Sequence, residues 1–187
     1  ELLSGEEYKI ISTSGCSVQR TNDKLVETLP RLQYPYKLFL VGDSAPQDRE
    51  AIDKIVAENG ISGVYILGRL GQDELKYLID HSHIGIVNYG QYDTNNIYCA
   101  SGKLYEFLYE GKPVVTTTNP PLADICAQLG VGEASDDYAQ ALNRVIDDYE
   151  GYCSRVQQAV KNMSVEENND LLVTALRQRL ALKEETK

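Results

Sequence analysis

Apolar runs rich in Val, Ile and Tyr recur roughly every 20 to 30 residues along this chain, each followed by a longer amphipathic stretch. This alternation constrains the fold more than any other feature. A strand buried on both faces is apolar throughout, and strands separated by helices pair in parallel. Residues 8–13, 36–41, 64–67, 84–87 and 113–117 read as strands, with a further short one at 131–134. Residues 21–32, 47–59, 73–80, 103–110, 122–128, 137–149, 152–162 and 165–182 read as helices. Residues 88–100 read as a polar loop. Gly42, Gly60 and Gly111 stand where a strand or helix must stop. Right-handed crossovers then give an α/β fold, a Rossmann-like doubly wound parallel sheet with helices on both faces. With 187 residues there is room for one such domain, 1–187, and not for two.

Bulk properties exclude several classes. A formal net charge of -10 argues against a general nucleic-acid binder, which needs a basic surface to neutralise phosphates. A small phosphorylated ligand is still compatible, because one or two placed cations and some backbone N–H groups suffice. Cys16, Cys99, Cys126 and Cys153 are widely spread and form no CxxC or Cys/His cluster, so they read as buried or free thiols in a reducing cytosol. No structural zinc is expected. His81 and His83 have no third ligand nearby in sequence and read as ordinary helix-end histidines. The carboxylates from Glu133 to Asp137, with Asp147, Asp148 and Glu150, read as solvated helix starts and faces. No apolar run approaches the roughly 20 residues that span a bilayer. The opening Glu1-Leu2-Leu3-Ser4-Gly5 is no signal peptide and reads like the inside of a longer chain. The last helix carries an apolar stripe of Leu172, Leu176 and Leu180 before a charged tail at 183–187.

In an open parallel sheet, ligands bind beyond the carboxyl ends of the strands. The loops that matter are therefore 14–20, 42–47, 68–72, 88–102 and 118–123. None carries a GxGxxG or Walker A pattern, so dinucleotide and P-loop chemistry lose their main support. The stretch from Asn95 to Val115 is more specific. A polar loop runs into a helix that opens on Ser101-Gly102-Lys103, whose free backbone N–H groups would make an anion site. Lys103 and Glu106 share one face of that helix, an arrangement that spacing alone assigns to a solvated ion pair before a ligand role.

Taken together, these segments resemble the donor-binding domain of the retaining GT-B glycosyltransferases of the group 1, family 4 type. That family's motif reads roughly Pro-x-Lys-Leu-Phe-Glu-Tyr followed by Gly-x-Pro-Val-Val. Here it stands as Ser101-Gly102-Lys103-Leu104-Tyr105-Glu106-Phe107, then Gly111-Lys112-Pro113-Val114-Val115. Leu38-Phe39-Leu40-Val41-Gly42-Asp43 is similar to the family's strand ending in Val-Gly. Tyr65-Ile66-Leu67-Gly68-Arg69-Leu70, with Asp73-Glu74-Leu75, is similar to its base-binding turn and next helix. The resemblance covers residues 8 to 180 in order.

The resemblance implies roles. Glu106 would accept from both ribose hydroxyls, which suits the paired oxygens of a carboxylate. Arg69 and Leu70 would flank the base, mainly through backbone. Ala100, Ser101, Gly102 and Lys103 would hold the distal phosphate, and Gly15 and Arg20 would face the diphosphate, with Lys24 as a second cation. Many family members carry a first glutamate that grips the sugar, seven residues lying between the two. That place is Tyr98 here, so Asn95, Asn96 or Tyr98 would contact the donor sugar instead.

The donor would be a UDP- or GDP-sugar, with no metal and no other cofactor. Acceptor pocket and catalytic histidine would lie in an amino-terminal Rossmann domain that this chain lacks, leaving the chain inactive alone. The implied setting is bacterial polysaccharide, capsule or lipid-linked glycan synthesis, cytoplasmic, with the full-length enzyme peripheral at the inner face of the membrane. Two alternatives are a related GT-B enzyme such as a nucleotide-sugar 2-epimerase and a non-catalytic flavodoxin-like regulatory domain. A receiver of the latter kind needs an acidic cluster after its first strand, where this chain has Ser12-Thr13-Ser14-Gly15.

Overall fold

The structure, a computed structural model, describes residues 2–163 and 165–184. Six strands form one parallel sheet: β1 (Tyr8–Ser12), β2 (Tyr36–Val41), β3 (Val64–Leu67), β4 (Ile84–Val87), β5 (Val114–Thr116) and β6 (Gly132–Ala134). Their spatial order is β3-β2-β1-β4-β5-β6. This is the doubly wound order, and it reverses direction between β1 and β4. A flavodoxin-like domain would run 2-1-3-4-5, so the regulatory alternative does not fit the sheet.

The helices are α1 (Asn22–Thr28), α2 (Pro46–Glu58), α3 (Gln72–Asp80), α4 (Thr94–Ile97), α5 (Gly102–Tyr109), α6 (Pro120–Leu129), α7 (Tyr138–Asp147), α8 (Tyr149–Lys161) and α9 (Val165–Glu184). Each sheet face has its own core. On one face Leu25 and Val26 of α1, Ile52 of α2 and Leu142 and Val145 of α7 pack on Ile10, Leu38 and Ile84. On the other, Ile79 of α3, Leu104 and Phe107 of α5, Leu122 of α6 and Val156 of α8 pack on Ile11, Phe39 and Val114. Alternate residues of β1 and β2 thus feed opposite cores, which is why Ile10 and Ile11 in β1 and Leu38 to Val41 in β2 are apolar in succession.

Two local expectations needed correction. The helix read over 21–32 is broken: α1 ends at Thr28, and a 3-10 turn, Leu29–Arg31, follows with Pro30 inside it. Proline has no N–H to continue the ladder, so the chain tightens and leaves. Residues 88–100 are not all loop, because Asp93 accepts from the Asn96 amide and caps the single turn of α4. On α9, Leu172 and Leu176 are exposed, while the side chain of Leu180 and residues 185–187 lie outside the described residues. Among the described residues no helix is long and apolar enough to cross a membrane.

Candidate functional site at the sheet reversal

The strand order reverses between β1 and β4, so the loops leaving those two strands diverge and open a crevice. Its floor is a buried polar network. Asn22, fully buried at the start of α1, donates through Nδ2 to Ser14 Oγ (3.0 Å) and to the Gly15 carbonyl (2.7 Å). Its Oδ1 accepts from Ser12 Oγ (3.1 Å) and Asn88 Nδ2 (2.8 Å). Ser14 in turn donates to Asn88 Oδ1 at 3.2 Å. The ends of β1 and β4 are thereby fastened to one another through side chains that are buried yet satisfied.

Gly15 sits in the left-handed region at φ 59°, and a Cβ there would lie 2.5 Å from the Asp43 carbonyl oxygen and 2.8 Å from Ser44 Oγ. The loops after β1 and β2 approach that closely only because the residue is glycine. Its amide donates to the Val41 carbonyl at 2.8 Å, and the Cys16 amide donates to Ser44 Oγ at 2.9 Å. These amides are committed within the protein, so Gly15 shapes the loop without offering a free donor.

The donors that face the crevice come from α5 and from two cations. Gly102 and Lys103 lead α5 and have no carbonyl ahead of them in the helix to accept their N–H groups. Ser101, almost fully buried, has its hydroxyl held by Tyr89 O–H at 3.1 Å. Ala100 is exposed beside it. Lys103 does not pair with Glu106. Its Nζ donates to the Thr13 carbonyl at 2.9 Å, tying α5 to the end of β1. Burial first, and the nearby Arg20 charge second, pull the Lys103 ammonium below the usual lysine range. Arg20 lies 4.0 Å over the ring of the same Tyr89. Thr13 Oγ1 and Asn119 Oδ1 are buried at this end of the sheet without a hydrogen-bond partner among the described residues.

Glu106 is exposed on α5, where it lines a hollow of about 170 Å³ with Gln72, Leu75 and Lys76 of α3. Arg69 and Leu70 lead into α3. Arg69 is exposed, 3.8 Å from Asp43, and Leu70 packs against the second core. The residues expected at the sugar are less gathered. Asn96 is engaged by α4, its side-chain amide donating to Asp93 Oδ2 (2.7 Å) and its carbonyl accepting from Asn119 Nδ2 (2.9 Å). Asn95 and Tyr98 are exposed. Arg20, Ser101 and Lys103 are therefore brought together around Tyr89 and Thr13, whereas Asn96 is tied into its own turn.

Sequence reasoning missed Tyr89, Asn22, Asn88 and Thr13. The available signal was polar residues directly after the apolar strands β1 and β4, where the doubly wound rule places ligands.

The remaining polar residues have structural partners. His81 closes α3, its Nδ1 2.8 Å from the Tyr77 carbonyl. His83 Nδ1 accepts the Lys9 amide at 2.9 Å. The acidic residues read as solvated are engaged more than expected: Asp137 binds both guanidinium nitrogens of Arg31, Glu133 pairs with Arg144, and Asp148 with Arg155. All four cysteines are free thiols, with Cys16 and Cys126 buried. No group of three or more His, Cys, Asp or Glu residues placed to hold a metal occurs among the described residues.

No sequence-family model matches this chain, and no curated protein matches it by sequence. Solved structures do match. Anabaena HepE in complex with UDP-glucose superposes with a TM-score of 0.72 at 16% identity, over 92% of this chain and 49% of that one. WaaG, a glycosyltransferase of lipopolysaccharide biosynthesis, gives 0.66 at 16% identity over 90% and 48%. A UDP-N-acetylglucosamine 2-epimerase from Listeria monocytogenes gives 0.59 at 14% identity over 82% and 40%. The chain spans about half the length of HepE and WaaG. Its parallel, doubly wound sheet flanked by helices is the fold of one half of a GT-B protein.

Proposed function

We propose that this chain binds the nucleoside diphosphate of a UDP- or GDP-sugar, as the donor half of a two-domain retaining glycosyltransferase. One observation carries the reading: Arg20, Ser101 and Lys103 converge on Tyr89 and Thr13 where the strand order reverses, beside the leading amides of α5. Two cations and a helix start facing one crevice suit a diphosphate. Glu106, further along α5 and lining a hollow with α3, would accept from the ribose hydroxyls, with Arg69 and Leu70 toward the base. As the bond to the sugar breaks, negative charge builds on the departing phosphate. Lys103, Arg20 and the α5 amides would hold that charge without reorganising, and the scheme needs no metal ion.

The acceptor, a glycan or lipid-linked sugar, would be presented by a second Rossmann domain closing over this crevice. Polysaccharide or lipopolysaccharide synthesis at the cytoplasmic face of a bacterial membrane is the corresponding setting. The similarity to HepE bound to UDP-glucose and to WaaG supports this reading. A 2-epimerase would use the same donor half, and the Listeria likeness keeps it as the second reading.

Calorimetric titration with UDP, GDP and ADP, on the wild type and on Glu106→Ala, tests the proposal. One nucleotide should bind and should weaken by about 1–3 kcal/mol in the variant, the worth of a hydrogen bond to a charged group. A folded chain that binds none of the three refutes it. Robust sugar transfer by this chain alone would refute the half-enzyme part.

A further inference from the structure

The loops after β1, β4 and β5 and the start of α5 meet at Tyr89, the second residue past β4. Its amide donates to Thr117 Oγ1 at 3.0 Å, and its ring is buried in the second core. Backbone and ring are thus fixed without any ligand. Two groups are held by that ring. Its hydroxyl donates to Ser101 Oγ directly before α5, and its face carries the guanidinium of Arg20. A Cβ at Gly90 would lie 2.6 Å from the Gln19 carbonyl oxygen, so the loop after β4 reaches the turn bearing Arg20 only because residue 90 is glycine.

The backbone of Arg20 is pinned as well. Its amide donates to Ser17 Oγ at 3.3 Å, and the next residue, Thr21, is held left-handed at φ 61° with its hydroxyl bonded to buried Tyr138. Its guanidinium, by contrast, has no hydrogen bond or ion pair among the described residues, and the Tyr89 ring is what holds it. A half-buried cation without a counter-charge, in a chain of net charge -10, keeps its N–H donors for a ligand. Lys103 feels that charge, because Arg20 adds to the burial that pulls its ammonium below the usual range. The crevice therefore holds two like charges, which an incoming anion would relieve. Ser101 is poised in the same way: its Oγ accepts from Tyr89, which leaves its own O–H to donate.

We infer that Tyr89 is a positioning residue for the anion site: its ring aims Arg20 and its hydroxyl turns Ser101, so that the loop after β1 and the start of α5 grip one diphosphate together. The inference rests on the reading of the crevice as a diphosphate site. Tyr89 acts through these two groups and not on the ligand. A free arginine loses most of its rotamer freedom when it grips a phosphate, whereas one already stacked on a fixed ring has lost it beforehand. Leu at this position would fill the core yet leave Arg20 unheld.

The test is a pair of double-mutant cycles read by calorimetry, with UDP, GDP and inorganic pyrophosphate as probes. Arg20→Gln should cost about 2- to 10-fold more affinity in the wild-type background than in Tyr89→Leu, the worth of a cation held over a ring. Ser101→Ala should likewise cost about 2- to 10-fold more in wild type than in Tyr89→Phe, which keeps the ring and lacks the hydroxyl. The NMR signal of the Arg20 Nε–H proton, lying over the ring, should stand upfield in wild type and in Tyr89→Phe and move downfield in Tyr89→Leu. A Tyr89 that only fills the core would lower affinity by the same factor in each background. Additive cycles therefore overturn the inference while the nucleotide reading stands, and so does an Arg20 signal indifferent to Tyr89→Leu. Coupling seen with pyrophosphate when no nucleotide binds sustains the inference and sinks the nucleotide reading. A folded wild-type chain that binds none of the three probes overturns both. Should Tyr89→Leu not fold, the Tyr89→Phe cycle decides alone.

Discussion

Replacing Asn22 by Ala would loosen the crevice from below, at a cost that can be worked from the network. Asn22 is fully buried, and both of its donors and both acceptor positions are used. After truncation, Ser12 and Ser14 can still bond one another, and Ser14 keeps Asn88. The Gly15 carbonyl and the Asn88 amide lose the Asn22 bonds that satisfied them. Each buried polar group left unpaired costs about 1–3 kcal/mol, so Asn22→Ala should destabilise the chain by about 2–6 kcal/mol. That is a large part of a normal folding free energy of about 5–15 kcal/mol. Urea unfolding should show a lower midpoint with an unchanged slope, since the surface exposed on unfolding stays the same. Where the variant is still folded, nucleotide affinity should fall too, because the loop at Ser14–Gly15 is no longer anchored to α1. A loss below about 1 kcal/mol would refute the reasoning, and would mean that the Gly15–Val41 and Cys16–Ser44 bonds hold the loop unaided.

Gly15→Ala combines a left-handed backbone with contact against the Asp43 carbonyl, and should cost about 2–5 kcal/mol in urea unfolding; wild-type stability would show that the loop can shift. Lys103→Met should leave stability near wild type, because removing a desolvated cation offsets the lost Thr13 bond, while nucleotide affinity falls by about 1.5–3 kcal/mol. Since the Lys103 pKa is lowered, wild-type affinity should decline as pH rises through that lowered value, and a calorimetric pH series on the variant should be flatter. His83 has its pKa pulled down by burial first, then by Lys9 and Lys112, so folding favours the neutral ring. Its contribution to stability is complete above the unfolded value of about 6.5 and is lost as pH falls from there toward the folded value, by at most about 1.4 kcal/mol per pH unit. Thermal melts between about pH 5 and 7 should show that slope in wild type and less of it in His83→Gln; identical slopes would place the effect elsewhere.

Much of the architecture was legible in the sequence because it rests on local periodicity. Strands β2, β3 and β4 occupy the residues read as strands, because short apolar runs bounded by turn residues mark them, whether buried as in β4 or half-buried as at the edge strand β3. Helix α5 starts within a residue of its expected position, because a polar loop and Gly111 bracket its apolar stripe. The sequence placed ligands beyond the carboxyl ends of the strands in general, and the strand order then singled out β1 and β4.

Pairings between distant residues were decided only by tertiary structure. Lys103 and Glu106 share a helix face, which suggested an ion pair, yet Lys103 turns to a carbonyl 90 residues away because packing of α5 on the sheet brings that acceptor closer. The Asn22–Asn88 bond spans 66 residues, and no local pattern encodes it. Thr21 adopts a left-handed backbone that its own side chain disfavours, since the start of α1 and buried Tyr138 hold it there. Local sequence determines which segments can be strand or helix, through side-chain period and backbone preference. Which polar groups face one another is settled by how those segments pack, where a buried donor must find whatever acceptor the sheet order sets within reach.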